Sequence, residues 1–519
     1  MLLGSERPPF SVQLHQGSSM PVDRRQILSL VGGALAVSPA LASARSNAGT
    51  GGQGLQGPLW RWDAADLADA IRRRQITSRE ATLSALERVQ AVNPKLNAIV
   101  ELLADEALAA ADQADRTVRD GGPLGVLHGV PVTTKINVDL RGHPTTNGLV
   151  AMKDNIAKQD SAVVAAFRKS GAVIIGRTNT PAMSFRWFTE NDLHGRTYNP
   201  WDRTVTPGGS SGGASSAVSS GMGAIAHGND IAGSVRYPGY VSGVPAIRPT
   251  LGRISAGRGG GAMSGSIMGV EGVLARSIQD LRLGLAATSV RAAGDPWWTP
   301  APLHYPDSEG PKRVALFARA AGYTPSPSVA AALEAAAKAL SDAGYVVEEK
   351  ELPHFAEGQD LWSRLVMNES RDTFGEAVRK YGDERVRKEV LAWLEITPKV
   401  DMRGLSEAFA RRNAIASAWD LLMEDYPIIL MPNSWEPPMK LDRDQGGPDA
   451  IREILRIQSP MLLPPLIGVP GLSVPTGVTD DLPTGVQIVS RRFREDLCFT
   501  AGEVIERACP MPTPIDPRW

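Results

Sequence analysis

The sequence predicts an α/β layered fold. Three observations carry this. Short strands of the fully buried kind alternate with amphipathic helices through to the C-terminal end. No internal repeat interrupts them. Apolar residues make up 42% and charged residues 21% of the 519 residues, the mix of an ordinary globular chain long enough to bury a large core.

Residues 1–54 stand apart from that fold. Asp23-Arg24-Arg25-Gln26 precedes an apolar run from Ile27 to Val37, and Ala42-Ser43-Ala44 follows as a small-x-small cleavage pattern. Charged, apolar and small stretches in that order form a secretory signal, and the paired arginines resemble the twin-arginine type. The run is too short to span a bilayer. Residues 1–19 add nothing to the signal, so Met20 is an alternative start. A Gly-rich linker, Gly49 to Gly57, leads into the folded part. The expectation is an export signal and disordered linker over 1–54, a domain over 55–519, and a periplasmic or secreted protein. If the Arg-Arg pair is fortuitous, the chain is cytoplasmic.

Within the domain, Asp66 to Arg74 has helical apolar spacing. Thr77-Ser78-Arg79-Glu80 reads as a capping box, with Leu83, Leu86 and Val89 as one face of the helix it starts. Asn93-Pro94 is expected to stop that helix, and Glu101 to Arg116 to form the next. Gly129 to Thr134 reads as a buried strand, 161–170 as a helix and 172–175 as a strand. Thr204 to Gly213 is a Gly/Ser loop, continued by a helix that Gly221 ends. Further strands are predicted over 313–317, 345–349, 427–431, 472–475 and 485–490. Helices are predicted over 328–343, 404–422 and 495–509. Residues 291–310, with their Pro, Gly and Trp, form a surface loop.

Formal charge is −1, from 55 basic and 56 acidic residues, which leaves no basic field for nucleic acid. The two cysteines, Cys498 and Cys509, and the seven scattered histidines show no metal-ligand spacing. No metal and no cofactor is expected.

The chemistry concentrates in Gly208-Gly209-Ser210-Ser211-Gly212-Gly213, a loop whose backbone must approach something closely. A further serine, Ser234, sits in Asp230-Ile231-Ala232-Gly233-Ser234-Val235-Arg236-Tyr237-Pro238. A serine after small residues exposes its hydroxyl where backbone N–H groups converge, as in an oxyanion hole. A serine nucleophile needs a base, and no histidine is placed by motif. Lys135 ends the apolar run 129–134; buried there, its amine would lose its proton and serve as one. Taken alone it reads as a strand-end lysine with its ammonium in water.

Residues 209–239 resemble the signature of the amidase-signature family: a Gly-Ser-Ser-Gly loop, then Asp-x-Gly/Ala-Gly-Ser-hydrophobic-Arg-x-Pro. Residues 125–132, 171–180, 249–253 and 485–489 are similar to further blocks of that family, and the resemblance runs from about Leu67 to Glu506. It implies a single large domain with a central mixed β-sheet flanked by helices on both faces. It implies hydrolysis of linear carboxylic amides through an acyl-enzyme. Ser234 aligns with the nucleophile, Ser210 with the bridging serine held after a cis peptide bond, and Lys135 with the base. Ile231, Ala232, Gly233 and Ser234 align with oxyanion-hole donors, and Ser211, Asp230 and Arg236 with residues that orient the relay. One departure is plain: Ile136 stands where the family usually has an acidic residue, an apolar replacement that would push the Lys135 amine further toward neutrality.

Gly-x-Ser-x-Gly also fits the nucleophile elbow of α/β-hydrolases, but no histidine follows His354. Gly171 to Thr178 mimics a phosphate loop, yet lacks its lysine and is β-branched inside. His227 and Asn229 read as loop hydrogen bonders. The other class to separate is a glutamine-hydrolysing component of an amidotransferase, working within a complex. Met183, Trp187, Trp362 and Trp435 are candidates for the pocket wall and hint at an apolar or aryl acyl group. The partner expected is a small-molecule amide, with no integral membrane segment; the oligomeric state is not legible, a homodimer being one arrangement.

Overall fold

Ile428, Ile429, Leu430 and Met431 show how the layers arise. Successive side chains of a strand point to opposite faces. Ile428 and Leu430 join one buried apolar cluster and Ile429 and Met431 another. Val314 and Ala315, and Ile488 and Val489, divide the same way. Both faces of the sheet are therefore covered.

The computed structural model describes residues 57–257 and 262–519; the expected export signal and linker over 1–54 lie outside them. The strands are β1 Ile99–Leu102, β2 Pro131–Lys135, β3 Val173–Thr178, β4 Glu190–Asn191, β5 Gly195–Arg196, β6 Ile225–Asp230, β7 Ala246–Arg248, β8 Val270–Ala275, β9 Arg313–Leu316, β10 Val346–Glu349, β11 Ile428–Pro432, β12 Gly471–Thr479 and β13 Leu482–Ser490. Eleven form one sheet in the order β1-β3-β2-β6-β8-β7-β12-β13-β11-β9-β10. β2 runs parallel to both β3 and β6, and β9 to β10 and β11, while β8, β7, β12 and β13 pair antiparallel. The sheet is mixed, as the resemblance implied.

Helices Ala64–Arg72, Ala162–Lys169, Ile278–Thr288, Pro327–Asp342 and Glu495–Ala508 contribute to the first cluster. Helices Phe355–Glu369, Glu384–Ile396, Met402–Asp425, Pro448–Ile457 and Ser459–Ile467 contribute to the second. No described helix is long and apolar enough to cross a membrane.

The capping box forms with both bonds, Glu80 N–H to Thr77 Oγ1 at 3.0 Å and Thr77 N–H to Glu80 Oε2 at 2.7 Å. The helix it opens does not stop at Asn93-Pro94 but runs Ser78–Leu96 and ends at Asn97, left-handed at φ 49°. Pro94 sits in the last turn of that helix. Asn93 instead shapes what comes next: its Oδ1 accepts the N–H groups of Ala98 and Ile99. That steers the chain into β1, antiparallel to β3, where the sequence alone suggested a helix from Glu101. The helix begins later, at Ala104.

Candidate active site

β2 lies inside the sheet between β3 and β6, so the lysine at its C-terminal end is enclosed. Lys135 is fully buried. Its Nζ lies within hydrogen-bond distance of Ser210 Oγ at 2.7 Å, Asn229 Oδ1 at 2.8 Å and Ser211 Oγ at 3.2 Å. All three partners are neutral. Burial takes the amine from its ordinary 10.5 down to about 7, against the opposing pull of Glu271 and Asp230. Ile136, at the family's acidic position, is itself buried.

Ser210 is delivered by the Gly/Ser loop between β5 and helix Gly212–Ser219. The Gly209–Ser210 peptide is cis. Gly208 has φ +82°, and a Cβ there would stand 2.5 Å from Pro238 Cα. A Cβ on Gly209 would run into the Arg186 carbonyl. Only glycines let this loop press against both segments.

β6 supplies the other half. It ends at Asp230, whose carboxylate organises the turn that follows. Oδ1 accepts Gly233 N–H at 2.9 Å and Arg236 Nη2 at 2.9 Å; Oδ2 accepts Arg236 Nε at 3.0 Å and Val235 N–H at 3.2 Å. Burial alone would raise this carboxyl; Arg236, Arg248 and the Gly233 N–H prevail and hold it down to about 2. Arg236 reaches on to the Met461 carbonyl at 2.8 Å. The turn places Ser234 beside the loop, where its carbonyl accepts Ser211 N–H at 3.2 Å.

The four expected oxyanion donors are not equivalent. The Gly233 N–H is committed to Asp230. Among the described residues, the N–H groups of Ile231, Ala232 and Ser234 have no such acceptor. Their neighbouring carbonyls are held by tryptophans: Trp362 Nε1 donates to Ile231 O at 2.9 Å and Trp187 Nε1 to Ala232 O at 3.0 Å. In a trans peptide the N–H points opposite its carbonyl, so the Trp362 bond fixes the direction of Ala232 N–H.

Ser234, Ile231 and Ala232 open onto a narrow cavity of about 30 Å³ walled by Ser184, Phe185, Arg186, Trp187, Trp362 and Trp393. Trp393 stacks on both outer indoles, 5.8 Å from Trp187 and 5.5 Å from Trp362. Phe185 closes against it at 5.5 Å.

A family model described as Amidase matches residues 80–499. This chain belongs to the Amidase family. It is 43% identical over 462 residues to an indoleacetamide hydrolase of Bradyrhizobium diazoefficiens, covering 87% of each chain. It is 41% identical over 377 residues to an indoleacetamide hydrolase of Bradyrhizobium japonicum, covering 70% of this chain and 80% of that one. A solved bacterial aryl acylamidase of the amidase-signature family superposes with a TM-score of 0.77 at 26% identity, covering 86% of this chain and 96% of that one. Amide hydrolysis is its class of reaction.

Of the side chains the sequence singled out in this amidase, all of Lys135, Ser210, Ser211, Ser234, Asp230 and Arg236 are buried: Lys135 bonds Ser210 and Ser211, Arg236 pairs with Asp230, and Ser234 meets the loop through its carbonyl. Trp187 and Trp362 line the cavity. Trp435 does not line it: it is fully buried, donates Nε1 to Ser459 Oγ at 2.9 Å and packs among Phe317, Tyr323 and Phe355. Met183, in the left-handed region at φ 58°, is also absent from the cavity wall, and its neighbours Ser184 and Phe185 take that place. His227 and Asn229 lie in β6 and not on a loop: His227 bonds Glu271, and the partner of Asn229 is the lysine itself. Trp393 stands in no motif, and sequence reasoning misses it. Its signal is present all the same, since Val386, Val390, Trp393 and Leu394 form one buried helical face.

Proposed function

We propose that this amidase hydrolyses carboxamides whose acyl part carries a flat aromatic ring, with Ser234 as nucleophile, Ser210 as relay and Lys135 as base. The observation that carries this is the fully buried Lys135 amine 2.7 Å from Ser210 Oγ, with no carboxylate among its direct partners. The neutral amine draws the Ser210 proton as Ser210 draws that of Ser234, whose Oγ bonds to the amide carbon. The N–H groups of Ile231, Ala232 and Ser234 face the resulting oxyanion. The proton returns through Ser210 to the amide nitrogen as the C–N bond breaks and ammonia or an amine leaves. Water, deprotonated by the same relay, then releases the acid from Ser234.

The aryl preference rests on the walls: three indoles and one phenyl ring surround the serine. The indoleacetamide hydrolase relative supports an arylacetamide of that kind. Free glutamine fits poorly. Its ammonium and carboxylate need charged partners, and the one charged lining residue, Arg186, is already paired through Nε and Nη2 with Asp444 at 2.6 and 2.9 Å. The test is ammonia release from indole-3-acetamide and from glutamine, with and without Ser234→Ala. Turnover of the arylacetamide that disappears in the variant is expected; turnover that survives the substitution sinks the assignment.

For the N-terminal segment we propose export by the twin-arginine route, supported by Arg24-Arg25 and the apolar run behind them. Replacing both arginines by lysine is expected to keep the protein in the cytoplasm; unchanged export rejects the route.

A further inference from the structure

A neutral amine has two N–H bonds and one lone pair, and only the orientation that aims the lone pair at a hydroxyl makes it a base for that hydroxyl. Three oxygens surround Lys135 Nζ: Ser210 Oγ at 2.7 Å, Asn229 Oδ1 at 2.8 Å and Ser211 Oγ at 3.2 Å. Serine hydroxyls donate or accept, so neither decides the orientation. An amide oxygen only accepts.

The Asn229 amide is itself held in one sense. Asn137 Nδ2 donates to Asn229 Oδ1 at 3.2 Å, and Asn229 Nδ2 donates back to Asn137 Oδ1 at 3.2 Å. Asn137 is anchored in turn through Nδ2 to Ser184 Oγ at 3.0 Å, and Ser184 donates to Asn147 Oδ1 at 2.7 Å. Flipping Asn229 would aim its NH₂ at the amine's own hydrogens and break the reciprocal pair. The charged groups around the lysine are occupied elsewhere. Glu271 is bonded by His227 Nε2 at 2.6 Å, Asp230 by Arg236, and His227 Nδ1 accepts the Lys135 backbone N–H at 3.4 Å.

We propose that Asn229 is a positioning residue: its amide oxygen takes one Lys135 N–H, Ser211 takes the other, and the lone pair is left facing the Ser210 hydroxyl. An amide does this without charge, whereas a carboxylate at the same distance would hold the lysine as an ammonium. This rests on the reading of Lys135 as base.

The test uses the intact protein, a fluorophosphonate probe and mass-spectrometric location of the adduct, with the labelling rate followed against pH. Wild type is expected to label at Ser234, with a rate that rises through about pH 7. A wild type without that adduct, or without that rise, overturns the underlying base assignment. Asn229→Asp is nearly isosteric and is expected to move the rise upward by about 1–3 pH units. Asn229→Ala is expected to lower the high-pH plateau about ten- to hundredfold without moving the rise upward. With wild type behaving as stated, an Asp variant whose rise stays near 7, or an Ala variant with the wild-type plateau, overturns the role of Asn229 alone.

Discussion

Lys135 and Arg186 are both basic side chains shut off from solvent, and the fold treats them oppositely. Arg186 donates to Asp444 Oδ2 at 2.6 Å and Oδ1 at 2.9 Å, with Glu389 3.5 Å away. Burial alone would lower that guanidinium; the carboxylates prevail and raise it. Lys135 touches hydroxyls and an amide, so burial prevails and the amine falls to about 7. The difference lies in what stands at hydrogen-bond distance. A directly paired cation is a structural tie, here fixing the segment whose carbonyl packs on Gly209. A buried amine with neutral partners gives up its proton readily and can then act as a base.

The sharpest way to break this contrast is to delete each cation's chemistry. Lys135→Met should lower arylacetamide turnover about 10⁴-fold, with a melting temperature no lower than wild type. The sign follows from the depressed value. The penalty for burying the charge is full below about 7 and fades as pH rises toward 10.5, so removing the amine relieves the fold throughout that range. Melting scans across pH check it; a large drop in melting temperature would show that the amine is a structural tie after all.

Asp444→Asn should do the reverse. It leaves buried Arg186 without its directly hydrogen-bonded carboxylate and should reduce stability by about 3–5 kcal/mol in denaturant titrations. An unchanged denaturation midpoint would erase the distinction between the two cations. Smaller effects are expected at the aromatic wall. Trp362→Phe keeps the ring but loses the bond to Ile231 O, and should lower kcat about tenfold with little change in KM. Trp393→Leu should raise KM for an arylacetamide about three- to tenfold and leave kcat nearly alone. Steady-state kinetics separates the two, and a shared change in KM would show that Trp362 only lines the cavity.

Much of the site is legible in the sequence. Ser210, Ser234 and Lys135 stand in spaced, unusual motifs, and glycine pairs mark where backbones must touch. The aromatic wall is half legible. Trp187 and Trp362 line the cavity, while Trp435 is core, because a tryptophan in sequence does not say which side of a layer it faces. β1 escapes the sequence because Asn93 reaches past its helix to set the next strand, a contact between side chain and backbone that periodicity does not record.

The chain's order of residues thus determined the α/β alternation, the family and which side chains are candidates for the site, since those depend on local pattern and on motif. The tertiary structure decided the surroundings of Lys135 and the placement of the aromatic wall. Whether a lysine is ammonium or amine depends on the oxygens that three separate segments bring to it. Whether an indole binds a ring, holds a carbonyl or fills the core depends on packing between elements far apart in the chain.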